Sequence, residues 1–419
     1  MGRKLKRLVL LPVAVAAALA FVGSLQAEPT NGQGRDLEPF QWTKVYDGAW
    51  PPKPPSFAPT TGWAGRAGLQ AVELRNRLYL MGGRTPNPDF VGGNPFRSDL
   101  WNDVWESRDL GTSWTKLPTP AAGPKMWSKR AYFQAVTKGG AMFVLGGQNL
   151  VSGVGACAAP FVFSCSDFYN DVWRSTDGTS WERLDGSGER WKERAGLSAI
   201  EFKGWIYVLG GSYGDDFSIG GGVNRELFND VWRSRDGKTW ESVTGHAPWS
   251  PRAGAAVVEK NGYMYLLGGE NGFSCPPGGT CSYFNDVWRS RDGADWELVT
   301  KHADWSARPG HQCQVLFDTI VCFGGFGFPT DPNVAAHPVD VWVSRDGASW
   351  NKLKTGPWNA TESKDVKYDF DSLVVTGGPG GLPPSIYTFG GDREASFIAP
   401  SPALVDDEVW RFSQPWQGK

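Results

Sequence analysis

The sequence predicts an all-β fold: one ring of six four-stranded blades, the last blade closed by a strand from the N-terminus. Three observations predict it. The phrase NDVWRSRDGKTW at 229–240 returns almost unchanged as NDVWRSRDGADW at 285–296. After residue 28 the chain is built of short β-branched and aromatic runs bounded by Gly, Asn and Asp, and helical periodicity is hard to find. The composition suits such a fold, because 54 Gly and 30 Pro supply turns while 22 Trp and a 40% hydrophobic content can pack 419 residues around a core.

The chain begins differently. Arg3, Lys4, Lys6 and Arg7 precede the apolar run LVLLPVAVAAALAFV at 8–22, followed by SLQA. Basic, then apolar, then small residues is the pattern of a secretory signal peptide. The run is shorter than the ~20 residues a membrane span needs. Residues 1–27 are therefore expected to be cut off after Ala27, leaving a linker at 28–39 and a single propeller at 40–419. No other run in the mature chain is expected to span a membrane. Losing four basic residues takes the formal charge from −2 to −6, so no basic excess invites nucleic acid. The expected location is periplasmic or secreted.

A longer unit contains the repeated phrase and occurs six times. Five units open on W-x-x-R: WAGR (63–66), WSKR (127–130), WKER (191–194), WSPR (249–252) and WSAR (305–308). An apolar strand follows, then a tight turn, then a strand ending in Gly-Gly: LYLMGG, MFVLGG, IYVLGG, MYLLGG, IVCFGG and IYTFGG. After a long variable loop, NDVW or a close relative starts a third strand at Trp105, Trp173, Trp232, Trp288, Trp342 and Trp410. The turn RDG or TDG leads to a fourth strand opening on Trp114, Trp181, Trp240, Trp296 and Trp350. The sixth unit has no clear fourth strand, but WTKV at 42–45 matches WTKL at 114–117 and supplies it.

From the Arg to the first Gly is sixteen residues in units one to five, which implies one hairpin geometry. In unit four its turn is Asn261-Gly262, the favoured pair for a two-residue type I′ turn. The same register in unit five sets Cys313 opposite Cys322. The other Cys form close pairs within long loops, Cys157 with Cys165 and Cys275 with Cys281. An even count in an exported chain suggests disulfides, with local pairing the best fit. No CxxC occurs and the four His are scattered, so no metal or cofactor is expected.

The Gly-Gly strand ends, the later aromatic and the repeat length resemble the kelch propellers of the galactose oxidase/kelch-like superfamily. The third-to-fourth-strand turn also resembles the Asp box of sialidases, S-x-D-x-G-x-x-W, which SRDLGTSW (107–114) fits fully and SRDGKTW fits less one residue. These resemblances imply a propeller whose relatives include an oxidase, sialate mutarotases and pure binding modules, so fold does not settle function.

A Trp that recurs in every blade has the same packing task in every blade, and most of the 22 occupy repeat positions. The Asp and Ser of the turn are expected to bond their own backbone. The repeated Arg66, Arg130, Arg194, Arg252 and Arg308, with Asp369 read at the matching place in unit six, admit two readings. Each pairs with a carboxylate of a neighbouring repeat, such as the Asp of NDVW, or the five line an anion-binding mouth.

Long variable loops on a rigid scaffold are where function concentrates. The residue after each Gly-Gly is Arg84, Gln148, Ser212, Glu270, Phe326 and Asp392, a repeated place with varied chemistry, as in a pocket lining. Phe90, Tyr213 and Phe273 could add stacking surfaces. The resemblance to galactose oxidase would require clustered His and Tyr with a free Cys, and that to sialidases a FRIP-like motif; neither is present. Candidate binding residues are therefore the five repeated Arg together with Arg84, Gln148, Glu270, Phe326, Asp392 and His311. The primary expectation is a module binding a glycan or an extracytoplasmic protein through the loop face. The alternative is a sugar mutarotase, in which Glu270, Asp392, Arg84 and His311 furnish acid and base.

Overall fold

In the computed structural model, the described residues are 40–48, 62–86, 98–149, 166–214, 225–272, 283–327, 337–377, 381–394 and 401–414. All lie within one compact unit, Gln33–Lys419. They form six four-stranded antiparallel sheets. Blade 1 is Gln70–Leu74, Arg77–Met81, Val104–Ser107 and Thr115–Lys116, and blades 2 to 5 repeat the order. The first strands of successive blades are neighbours all the way round, so they form the inner wall of a closed ring.

Blade 6 closes that ring as the repeat arithmetic requires. Gln41–Tyr46 pairs with Val409–Ser413, and Lys44 faces Trp410 as Lys116 faces Trp105 in blade 1. Trp42 packs against Phe323, Trp358 and Phe412 with ring centroids 5.0–5.7 Å apart. The unit lacks W-x-x-R, and Trp358 reaches the core instead from a 3-10 turn at Pro357–Asn359, its indole donating to Thr388 at 2.9 Å. Lys367 holds Glu408 at 2.7 Å, and Lys44 of the N-terminal strand bonds the same carboxylate. Burial opposes ionisation of Glu408, but Lys367 and Lys44 override it and bring its pKa down to about 2.

The repeated Trp are packing residues. Trp63, Trp127, Trp191, Trp249 and Trp305 are fully or almost fully buried. Each meets the fourth-strand Trp of its own repeat edge-to-face at 5.9–6.4 Å. Such pairs add about 0.5–1.5 kcal/mol each beyond area burial. The turn phrase is scaffolding too. Asp177 accepts from the amides of Thr179 and Ser180, both at 2.8 Å, and Ser175 accepts from the Gly178 amide at 2.8 Å. Trp181 then donates to the Gly178 carbonyl at 3.1 Å.

The hairpin register is also as expected. Asn261 and Gly262 both have positive φ, Ala256 faces Leu267, and Cys313 faces Cys322, joined as a disulfide. The four loop cysteines lie outside the described residues, as do Phe90 and Phe273.

The seam between blades 6 and 1 carries an unusual acid. Asp371 is buried and accepts the Ala71 amide at 2.6 Å. Burial pushes its pKa up to about 7, with the amides of Ala71 and Ser372 opposing. A carboxyl raised on folding stabilises below its ordinary pKa of about 4, and that contribution is lost as pH rises through the folded value. Stability to urea is therefore expected to fall between about pH 4 and about pH 7. Asp371→Asn, which keeps an acceptor for Ala71, should flatten part of that slope; a curve unchanged in the variant would contradict the assignment.

Candidate active site at the axial mouth

The five repeated arginines are structural, and the pairing partner is in their own repeat rather than a neighbouring one. Arg66 Nη1 donates to Asp103 at 2.6 Å and to the Gly82 carbonyl at 3.0 Å, while Nε donates to the Ala64 carbonyl at 2.8 Å. Arg130, Arg194, Arg252 and Arg308 repeat this with Asp171, Asp230, Asp286 and Asp340 at 2.6–2.7 Å. Their Nη1 groups also reach Gly146, Gly210, Gly268 and Gly324, which explains the constant sixteen-residue spacing. Aromatic faces cover four of the guanidinium groups: Trp101, Tyr169, Phe228 and Phe284, at 3.9–4.8 Å. Burial works against an ionised Asp103, yet Arg66 holds its carboxyl below the usual range. The expectation of an anion-binding ring is corrected, because these groups are buried and their donors are engaged with Asp carboxylates and carbonyls.

The sixth member of that ring is also corrected. Lys367, not Asp369, stands where the Arg stands. The Lys367 carbonyl accepts the Gly325 amide at 2.9 Å, as the Arg130 carbonyl accepts that of Gly83. Lys367 pairs with Glu408, two residues before Trp410, just as Arg66 pairs with Asp103, two before Trp105. The blade has exchanged Arg–Asp for Lys–Glu, moving a similar length from cation to anion.

Two residues beyond each cation the chain turns onto the axis. The residues there are Gly68, Tyr132, Gly196, Gly254, Gly310 and Asp369, all with φ between 50° and 64°. They are stitched blade to blade by backbone bonds, Tyr132 N–H to Gly68 O (3.0 Å), Gly196 to Tyr132 (2.9 Å), Gly254 to Gly196 (2.9 Å), Asp369 to Gly310 (3.0 Å) and Gly68 to Asp369 (2.8 Å). Glycine adopts this left-handed conformation freely, whereas a residue with a side chain is strained there by about 1–3 kcal/mol. Tyr132 and Asp369 accept that strain, and they are the two axial positions that project functional groups.

Those groups meet the residues that follow Gly-Gly. All six of the latter occupy one ring of positions, bonded to the residue after each cation. Arg84 Nε donates to the Tyr132 hydroxyl at 2.7 Å, and its Nη2 donates to Asp392 at 2.6 Å. The Tyr132 hydroxyl in turn bonds Asp369. The Glu394 amide donates to Asp392 at 2.8 Å, and its carboxylate accepts the Ser401 amide at 2.8 Å. Arg225 grips Glu270 through both terminal nitrogens, at 2.7 and 3.1 Å.

Three carboxyl groups thus lie around one guanidinium, and burial raises the proton affinity of all three. Burial pushes Asp369 up to about 7, with Arg84 opposing and Asp392 adding to the rise. Burial, then Asp392, pushes Glu394 up to about 8. Asp392 is raised by burial against the pull of Arg84. Asp392, Glu394 and Glu270 are buried, whereas Asp369 and Tyr132 keep partial contact with solvent.

Of the remaining candidates, Gln148 lies on the mouth, half-buried. Phe326 is buried, with Tyr368 and His337 both at 5.2 Å. His311 is a core residue. It sits against Gly268 where Phe133 sits against Gly82 and Phe370 against Gly324, and burial followed by Arg308 lowers its pKa to about 3. That corrects its expected role in acid–base chemistry. Tyr213 is exposed on the loop side, beside Phe168 at 5.2 Å and under Lys192 at 4.4 Å. No cluster of His, Cys, Asp and Glu among the described residues is arranged to hold a metal ion.

Tyr132, Glu394, Arg225 and Tyr368 were not singled out by sequence reasoning, and Asp369 was read at the wrong position. The signal was present in the repeats themselves: in RAG, RAY, RAG, RAG, RPG and KYD the third residue is Gly except where Tyr132 and Asp369 bring a side chain to the axis.

A profile of the KLHDC2/KLHL20/DRC7 Kelch-repeats domain matches residues 68–325. The chain belongs to the kelch-repeat family. The chain is similar to an N-acetylneuraminate epimerase of Pasteurella multocida, 24% identical over 200 residues that cover 48% of this chain and 40% of that protein. It is also similar to an N-acetylneuraminate epimerase of Escherichia coli K12, 25% identical over 245 residues, 52% of this chain and 64% of that protein. The matches thus cover less than two thirds of the length of these curated relatives. The solved structure of YjhT superposes with a TM-score of 0.56 at 17% identity, covering 84% of this chain and 96% of that one, a likeness of fold.

The kelch scaffold rests on its Arg–Asp pairs. Arg66→Met would strand a buried carboxylate at Asp103 and is expected to cost about 3–5 kcal/mol in urea unfolding, much of it recovered by Arg66→Met with Asp103→Leu. Equal stability of the single variant and the wild type would contradict this.

Proposed function

We propose that the chain is a sugar mutarotase, an epimerase of the anomeric centre, working at the axial mouth. The observation that carries the reading is the convergence of Asp369, Asp392 and Glu394 around Arg84 at the axial mouth, where burial, with Asp392 adding and Arg84 opposing, pushes Asp369 up to about 7. At neutral pH such a carboxyl is both acid and base in comparable amounts, the condition that favours proton transfer. The name of the relatives, N-acetylneuraminate epimerase, supports the reaction class.

In this reading protonated Asp369 donates its proton to the ring oxygen while its carbonyl oxygen takes the proton of the anomeric hydroxyl. The bond between the anomeric carbon and the ring oxygen breaks, giving the open-chain carbonyl form and regenerating the protonated acid. Rotation about the neighbouring carbon–carbon bond and closure by the reverse transfers give the other anomer. Tyr132 and Arg84 are positioning residues that orient Asp369. Burial and Asp392 raise its proton affinity against the pull of Arg84. The basic-apolar leader and the Cys313–Cys322 disulfide support export to an oxidising compartment.

The test is anomer exchange, followed by proton NMR in a panel of freshly dissolved sugars. Asp369→Asn is the decisive variant, because Asn tolerates the left-handed backbone that Asp369 occupies. It is expected to lose about 10²–10⁴-fold of the exchange rate while remaining folded, and the wild-type rate should vary with pH around an inflection near 7. Equal exchange by wild type and variant, or none by the wild type, would overturn the reading.

A further inference from the structure

We infer that the axial site takes a neutral polyhydroxy aldose rather than an acidic sugar. This deepens the mutarotase reading and rests on it. A ligand carboxylate needs a cation with charge to spare, since guanidinium and ammonium groups recognise it by direct pairing. Among the described residues, the cations around the mouth are paired with acids of the chain, including Arg393 beside Asp392; the Arg393 Nη2 is on Asp406 at 2.8 Å while its Nε has no hydrogen-bond partner. Arg84 is held by Asp392 and Tyr132, and both terminal nitrogens of Arg225 are on Glu270. Lys367 is divided between Asp406 at 2.9 Å and Glu408 at 2.7 Å. The five repeated arginines are closed off in their own Asp pairs.

Acids, in contrast, are in excess. Asp369 and Glu394 face Arg84 alongside Asp392, which already bonds it. An entering carboxylate would have to break a buried ion pair and leave another acid stranded, a costly exchange. A neutral sugar brings the opposite complement. Its hydroxyl groups donate to carboxyl oxygens and require no cation. The acid-rich, cation-matched mouth therefore selects for hydroxyl donors and against a second carboxylate.

Matched pairs of sugars test this on the full chain. D-glucose and D-glucuronate differ at carbon 6 alone, as do D-galactose and D-galacturonate. N-acetylneuraminate joins the panel because of the relatives' name. Anomer exchange and saturation-transfer NMR at pH 7 are expected to be at least tenfold stronger for a neutral member than for its uronate and for N-acetylneuraminate. In Asp369→Asn, exchange should fall for both members of a pair, while saturation transfer to the uronate rises relative to its neutral partner. Faster exchange of a uronate or of N-acetylneuraminate would overturn the inference and leave the mutarotase reading standing. Saturation transfer favouring the neutral sugar with no accelerated exchange would support the substrate class and remove the catalytic reading. Silence across the panel would overturn both.

Discussion

The structure depends on one repeated interaction, a buried cation that bonds a carboxylate and a strand-end carbonyl at once. Arg66 joins the start of the innermost strand to the first Gly of Gly-Gly and to the Asp that begins the third strand. Three strands are thereby fixed relative to one another by a single side chain. The same Asp103 then accepts from the Trp105 indole at 2.8 Å, tying the third strand to its own packing residue. Removing the Asp would leave a buried guanidinium uncompensated, so neither partner can change alone. Five repetitions of this unit, and a Lys–Glu version in blade 6, set the register in which everything else is built.

With the blades held alike, difference becomes informative. The axial ring needs left-handed backbone at six places, and glycine fills four of them. The exceptions, Tyr132 and Asp369, carry conformational strain that the surrounding repeats over-determine. They lie in blades 2 and 6, flanking blade 1, whose Arg84 bonds Tyr132 directly and reaches across to Asp392 of blade 6. The polar cluster is therefore local to one side of a pseudo-symmetric ring. A scaffold that repeats its packing six times has confined its chemistry to one place, where burial and mutual repulsion hold carboxyl protons near neutral pH.

Most of the architecture was legible in the sequence because repeated spacing is geometry. The sixteen-residue interval is one hairpin whose two ends an Arg side chain bridges. The likeness of WTKV to WTKL is a register, Lys44 opposite Trp410 as Lys116 is opposite Trp105. Ring closure by the N-terminal strand followed from that alone. The site was less legible. The positions after Gly-Gly were visible as a ring of varied chemistry, and Arg84, Glu270 and Asp392 do belong to the cluster. Blade 6, however, lacks W-x-x-R and lengthens its first hairpin, so the sixteen-residue interval does not index it, and the place of the Arg was read at Asp369, two residues beyond Lys367. His311 was a weaker candidate, since a histidine that starts an inner strand is more often buried and structural, and its ring packs against Gly268 of the neighbouring blade. Arg225 and Glu394 come from loops with no repeat to index them.

The central claim is that burial, with Asp392 adding and Arg84 opposing, holds an axial carboxyl at a proton affinity suited to both donation and acceptance. Carbon-13 NMR titration of the side-chain carboxyls in aspartate-labelled protein tests it most directly. The account predicts aspartate resonances titrating near pH 7, one of which disappears in Asp369→Asn, while a second, from Asp371, persists. If every aspartate instead titrates at or below its ordinary value of about 4, the axial acid is an ordinary ionised carboxylate and the account of the site fails.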